Sequence, residues 1–220
     1  IKRFLNEIPS FPLDVSIAAY YLKTTNTPYD KYLENLSTHE KDISNVQEGI
    51  LKETANYRKT RYGIVTLSLQ RLIDTNKEFC PLLLLVSLLD SQNIPRELLE
   101  RYKNTLVVDN FIYNLKKYSL ITNQMDKNSP VSSFSIHRST QKIALAYLIK
   151  AIAPEEKNRL IESIAKTLEN YAFDRIDEEN LPKIKLLVSH CEHFLYHNKL
   201  LIPIIKGIVA GELGGLYFYL

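Results

Sequence analysis

Cysteine is nearly absent from this chain of 220 residues. Only Cys80 and Cys191 occur, too few for a disulfide framework, so a reducing compartment is the expectation. A dominant charge sign is missing too. Twenty-eight Lys and Arg face 25 Asp and Glu, a net charge of +3, and so small an excess does not by itself mark a nucleic-acid binder. Long apolar runs are also lacking. The longest, Phe79 to Leu89, contains Ser87 and falls far short of the ~20 residues of a bilayer span. No basic start leads into an apolar core and a small-residue cleavage site, so a cytoplasmic location and no membrane partner are expected. Glycine occurs six times, fewer than a strand-rich fold with tight hairpins wants.

What is present is ordinary globular chemistry. Apolar residues make up 45% and charged residues 24%, which argues against a disordered chain. The length suits one large domain or two to three small ones. The sequence starts at Ile1 rather than Met and finishes on Leu216-Tyr217-Phe218-Tyr219-Leu220. It reads as a piece of a longer protein.

Apolar residues recur at i, i+3, i+4, i+7, the spacing of helices buried on one side. Val15, Ala18, Ala19 and Leu22 follow it, as do Val108, Phe111, Ile112 and Leu115, and again Ile184, Leu187, Val188 and Cys191. The fold class expected is mainly α: a helical bundle, a winged helix with a small β-hairpin, then the start of an α-α superhelix. Punctuation sets three domains at 1–76, 77–150 and 151–220. The first holds a helix after Pro12, a second from Pro28 to Leu36, and a long one from Val46 toward Asp74, in which Gly63 suggests a break or a close contact. In the second, a helix near Pro81 to Leu89 is followed by a turn at Ser91-Gln92-Asn93. Ile94-Pro95 opens another helix, and Thr105 or Asp109 caps a third ending near Tyr118. Leu120-Ile121-Thr122 and Ser133-Phe134-Ser135-Ile136 then alternate as strands around a loop at Lys127 to Pro130, and a helix runs from about Arg138 to Ile149. Three helices followed by a hairpin is the order of a winged helix. The third domain is all helical, with starts at Pro154 and Leu181-Pro182 and an interruption at Pro203.

The chemistry-bearing motifs are few. No glycine precedes a lysine, so there is no phosphate loop, and G-x-G-x-x-G, G-x-S-x-G and C-x-x-C are missing. No catalytic residue is assigned and an enzyme is not expected. His190, His193 and His197 cluster around Cys191 and Glu192. His193 and His197 are helical i, i+4 neighbours, but a metal site needs further ligands that the sequence does not offer. The plainer reading puts Cys191 and Leu195 inside and the histidines at the boundary, with no metal. Asp109 to Tyr118, carrying Asn110, Asn114, Lys116 and Lys117, is where a DNA-reading helix would sit. An acid leads it and no arginine cluster supports it, so DNA is not the expected partner. Gly207, Gly211 and Gly215 are spaced for close helix packing. His137 follows a strand and precedes a helix, where an imidazole either satisfies the local backbone or donates to an anion.

The order of these segments resembles the region that follows the nucleotide-binding domain in NB-ARC proteins of the STAND class of signalling NTPases. Ser10-Phe11-Pro12-Leu13 with the helix Asp14 to Lys23 resembles the family's "GLPLA" motif. Thr60-Arg61 through Thr66-Leu67-Ser68-Leu69, then Phe79 to Leu99, resembles the join between its helical domain and winged helix. Ser133-Phe134-Ser135-Ile136-His137-Arg138 resembles its "MHD" motif. Leu186-Leu187 to His190, then Gly214-Gly215-Leu216-Tyr217, looks like the helical lead-in to tetratricopeptide repeats in bacterial relatives.

The resemblance implies a regulatory, signal-transducing module. Pro12 would pack on the adenine, and His137 would contact the β-phosphate of ADP and hold a resting state that ATP exchange releases. Departures are Ser10, Phe11 and Asp14 in the first motif, Ile136 for methionine, and Arg138 for aspartate. Arginine pairs with phosphate in its own right. ADP or ATP is then the cofactor of the full-length parent, with none expected on this piece alone. Its partners would be an upstream nucleotide-binding domain in the same chain and a protein docked on the helical repeats. The alternatives are a winged-helix transcription regulator and a helical scaffold with no nucleotide dependence.

Overall fold

The computed structural model describes residues 2–42, 55–123 and 131–220. The chain divides into two compact units, Ile1–Lys77 with Tyr113–Leu120, and Glu78–Ile112 with Ile121–Leu220. It is mainly helical with one small antiparallel sheet.

The first unit holds α1 (Lys2–Glu7), α2 (Pro12–Thr25), α3 (Tyr29–Asp42) and α4 (Ala55–Thr75). The expected start of the long helix at Val46 lies outside the described residues. From Ala55 the helix runs unbroken through Gly63, which is buried. The expected break at Gly63 is therefore not found. Phe4, Tyr21, Tyr29 and Tyr32 join in tilted ring pairs with centroids 5.2–5.9 Å apart, a geometry that aromatic quadrupoles favour. Burial pushes the Tyr32 hydroxyl well above the ordinary tyrosine range. Among the described residues, one ion pair lies in this core. Asp14 is fully buried and its Oδ1 accepts from Arg61 Nε at 2.8 Å. Removing either partner of such a pair strands a buried charge.

The second unit follows the helix and strand order of a winged helix: α5 (Phe79–Leu88), β1 (Ile94–Pro95), α6 (Arg96–Tyr102), α7 (Thr105–Lys117), β2 (Ile121–Asn123) and β3 (Ser133–Ile136). The end of α7 counts with the first unit. Ile94-Pro95, expected to open a helix, instead pairs with β3, Ile94 opposite Phe134 and Pro95 opposite Ser133. Proline suits the short edge strand because it has no N–H to leave unpaired there. Strand β3 is central in the order β1-β3-β2, and Ile121 faces Ile136 across it. The cap of α7 is Asn104, whose Oδ1 accepts from Val107 N–H at 3.0 Å, and neither Thr105 nor Asp109 takes that role. The expected loop at Lys127 to Pro130 lies outside the described residues.

Helix α8 (Arg138–Ala151) leaves β3 directly. It is followed by α9 (Pro154–Asp177), α10 (Leu181–Tyr196), a 3-10 turn (Asn198–Leu200) and α11 (Pro203–Phe218). Pro203 thus begins a helix, in the first-turn position that proline tolerates. Helices α9, α10 and α11 pack on one another through Ile161, Ile164, Leu168, Ile184, Leu187 and Val209. The expected glycine seam of α11 is not a packing seam. A side chain at Gly207, Gly211 or Gly214 would meet nothing within 4 Å, and only Gly215 faces a neighbour, Ile176.

Polar contacts join these layers, one of them around a partly exposed carboxylate and another buried. Glu97 of α6 receives Lys183 Nζ at 2.7 and 2.8 Å, with Arg175 and the Tyr171 hydroxyl each at 3.3 Å. Burial alone would raise the Glu97 carboxyl, but Lys183 and Arg175 outweigh it and hold the group below its usual range. Arg101 pairs with Asp174 beside it. In the buried one, Gln141 Nε2 donates to the carbonyls of Val86 at 2.9 Å and Leu89 at 2.7 Å. Val86 lies in the last turn of α5, whose carbonyls have no partner within the helix. Replacing Gln141 with leucine keeps the volume and removes both donors. It should cost about 3 kcal/mol, since each orphaned buried carbonyl costs about 1–3 kcal/mol. Urea unfolding checks this, and an unchanged midpoint would mean that the amide carries no structural role.

Candidate functional site

Helix α8 begins at a histidine. His137 is half-buried at the end of β3 and has extended backbone, φ −64° and ψ 129°, which suits a helix N-cap. Its Nδ1 accepts from Ser139 N–H at 3.2 Å and lies 2.8 Å from Ser139 Oγ. Accepting a backbone N–H requires a lone pair on Nδ1, so in the neutral ring the proton sits on Nε2. The local backbone role weighed from the sequence is therefore present on one ring nitrogen, and it fixes the other as the donor. Arg138 follows at the first helical position, with its side chain exposed. Chain neighbourhood thus brings His137 and Arg138 together, in the second unit.

Pro12 belongs to the first unit. It stands at the first position of α2 and is exposed. Phe11 before it lies under the Arg61 guanidinium, 4.6 Å from the ring centroid, and Asp14 after it holds the same arginine. The turn that presents Pro12 is therefore fixed from both sides by one cation.

A cleft opens beside α8. Arg138, Lys142 and Leu145, at i, i+4 and i+7, form one wall. Ser189, Glu192, His193, Tyr196 and His197 of α10 and the turn after it form the other. Ser87 and Asp90, at the end of α5, also line it, and the volume is about 350 Å³. That size suits a small ligand. His193 and His197 meet edge to face with centroids 5.3 Å apart. Burial lowers the His193 ring below its usual range, opposed by Asp90 and aided by Arg138 and Lys142. Burial, aided by His193, takes His197 down to about 4. Both imidazoles are neutral near pH 7. Among the described residues no three metal-ligating side chains converge on one point.

The histidines do not share one environment, as the boundary reading supposed. His190 is fully buried in the core and its Nε2 donates to the Asn93 carbonyl at 3.2 Å. This pins α10 to the turn before β1, while Leu195, expected inside, is half-buried. The helix weighed as a DNA reader is α7. Asn114 is buried, and Asp109 is held by Arg96 at 2.6 Å. No helix among the described residues is long and apolar enough to cross a membrane.

Burial takes His190 down to about 4, against the Asn93 bond and Asp90 and with help from His193, and its Nδ1 meets no partner. The unfolded chain therefore binds a proton near pH 6.5 that the folded chain refuses until about pH 4. Stability is full above that window and falls with pH inside it, by up to ~1.4 kcal/mol per pH unit for this group. His190→Gln can keep a donor toward Asn93 and should flatten the slope of unfolding free energy against pH. An equal slope in both proteins would remove His190 as its source.

No family model, curated protein or solved structure matches this chain.

Proposed function

We propose that this chain is the regulatory, signal-transducing module of a nucleotide-gated STAND (NB-ARC) protein. In this reading it helps to hold ADP in the resting state and links that state to a protein-binding helical array. The observation that carries the reading is the junction of β3 and α8. There a histidine in the sequence Ser135-Ile136-His137-Arg138 spends Nδ1 on its own helix and keeps its proton on Nε2. A neutral imidazole N–H at the positive end of a helix is a suitable donor to a phosphate oxygen. Within the first unit, Pro12 is exposed on a turn braced by Arg61. The nucleotide itself would be held mainly by an upstream domain of the same chain. The winged helix then acts as a lever rather than a reader of DNA, consistent with the Asp109–Arg96 pair on α7. Helices α9 to α11 would start the array that meets a protein partner.

The test is nucleotide content. The full-length protein is purified and denatured, and released nucleotide is quantified by chromatography. About one ADP per chain is expected in the native protein, with a loss of several-fold in His137→Ala. Loss of an N-cap alone costs ~1 kcal/mol of stability, so His137→Asp serves as the control. Aspartate caps the helix well but donates nothing to phosphate, and it should lose ADP as alanine does while keeping the native thermal midpoint. ADP-free native protein, or full ADP retention in both variants, would overturn the reading.

A further inference from the structure

The cleft between α8 and α10 gathers two cations on one wall and two imidazoles on the other. Arg138 and Lys142 stand four residues apart on α8, a spacing at which like charges repel along a helix. Neither has an ion-pair partner among the described residues. Two carboxylates also line the cleft and keep their charge, since their hydrogen-bond donors are neutral: Asp90 accepts from Gln92 N–H at 3.1 Å, and Glu192 accepts from the Tyr217 hydroxyl at 2.5 Å.

Ser87 adds an independent observation. It is the one hydroxyl in the apolar run Leu82-Leu83-Leu84-Leu85-Val86-Ser87-Leu88, and it is 1% exposed. Its Oγ meets no hydrogen-bond partner, yet the residue lines the cleft. A buried hydroxyl without a partner is costly, and apolar packing would have been served as well by alanine or valine. His197 Nε2, on the opposite wall, is likewise buried without a partner. The walls themselves are fixed, α8 by Gln141 on α5 and α10 by His190 on Asn93.

We propose that this cleft binds a phosphate group between Arg138 and Lys142, with the Ser87 hydroxyl and the His193–His197 imidazoles completing its hydrogen bonds. A guanidinium, an ammonium, a hydroxyl and imidazole N–H groups form a donor set suited to a tetrahedral dianion. The group is either free phosphate or the monoester of a small molecule, since the cleft has room beyond one phosphate. The assignment does not rest on the nucleotide reading. It places Arg138 with Lys142 and the α10 histidines, in a site that His137 does not line.

The experiment follows the ring resonances of His193 and His197 by NMR in the full chain at pH 7 and constant ionic strength. Inorganic phosphate is titrated in one arm and glycerol 3-phosphate in another, with sodium chloride as the reference. Both rings should shift saturably with phosphate. Arg138→Gln and Lys142→Gln should each weaken binding at least ten-fold. Ser87→Ala should weaken it several-fold with no loss in thermal midpoint. Lys185→Gln, on α10 outside the cleft, should change nothing. Tighter binding of glycerol 3-phosphate would assign the site to a monoester, and equal or weaker binding to the free ion. The proposal is overturned by non-saturable shifts, by Arg138→Gln and Lys142→Gln titrating as the native chain does, or by zinc saturating the two rings where phosphate does not.

Discussion

One amide side chain sets the frame of the second unit. Gln141 donates both hydrogens of Nε2 to the end of α5, where helix geometry leaves carbonyls without partners. Those carbonyls lie in the most apolar stretch of the chain, so water cannot serve them. The same bonds fix α8 along its length. His137, one turn earlier, is thereby held at the end of β3, and Arg138 and Lys142 are held along the cleft. Polar satisfaction in the core and placement of the site are the same requirement.

Other polar groups act in a similar way, each within its own unit. His190 occupies a core position of α10 and ties that helix to the turn before β1. Glu97 gathers Lys183, Arg175 and Tyr171, so that α6 meets α9 and α10 through charge as well as apolar contact. In the first unit Asp14 and Phe11 grip one arginine and fix the turn at Pro12. Some buried hydroxyls, among them those of Ser68, Thr140 and Ser87, have no partner, and of these three Ser87 lines the cleft. The cleft is where an answer to its hydroxyl can come from.

The helices were legible from their apolar spacing, but the face expected for α2 was not: Asp14, Ile17, Ala18 and Tyr21 are buried there, while Val15 and Ala19 are exposed. Ile184, Leu187 and Cys191 mark the buried face of α10, as the period requires. Ile94-Pro95 was misread because a two-residue edge strand leaves no period, and proline also opens helices. The cap of α7 was missed because Asn104, Thr105 and Asp109 are all good caps and only geometry chooses among them. At the site, His137 was visible as a histidine between a strand and a helix. Lys142, Ser87 and Gln141 were not. Spacing puts Arg138 and Lys142 on one face of α8, but nothing in the sequence says that the end of α5 and α10 face it. The glycines of α11 show the reverse error, a packing motif with no partner across it.

The central claim concerns the state of one ring. With Nδ1 of His137 accepting from Ser139 N–H, the neutral imidazole must carry its proton on Nε2, which makes that nitrogen a donor. Nitrogen-15 chemical shifts and long-range proton couplings of the His137 ring report the tautomer directly. The account predicts a lone-pair nitrogen at Nδ1 and a protonated one at Nε2 near neutral pH. A proton on Nδ1 would contradict it, because the cap and the donor could not then coexist.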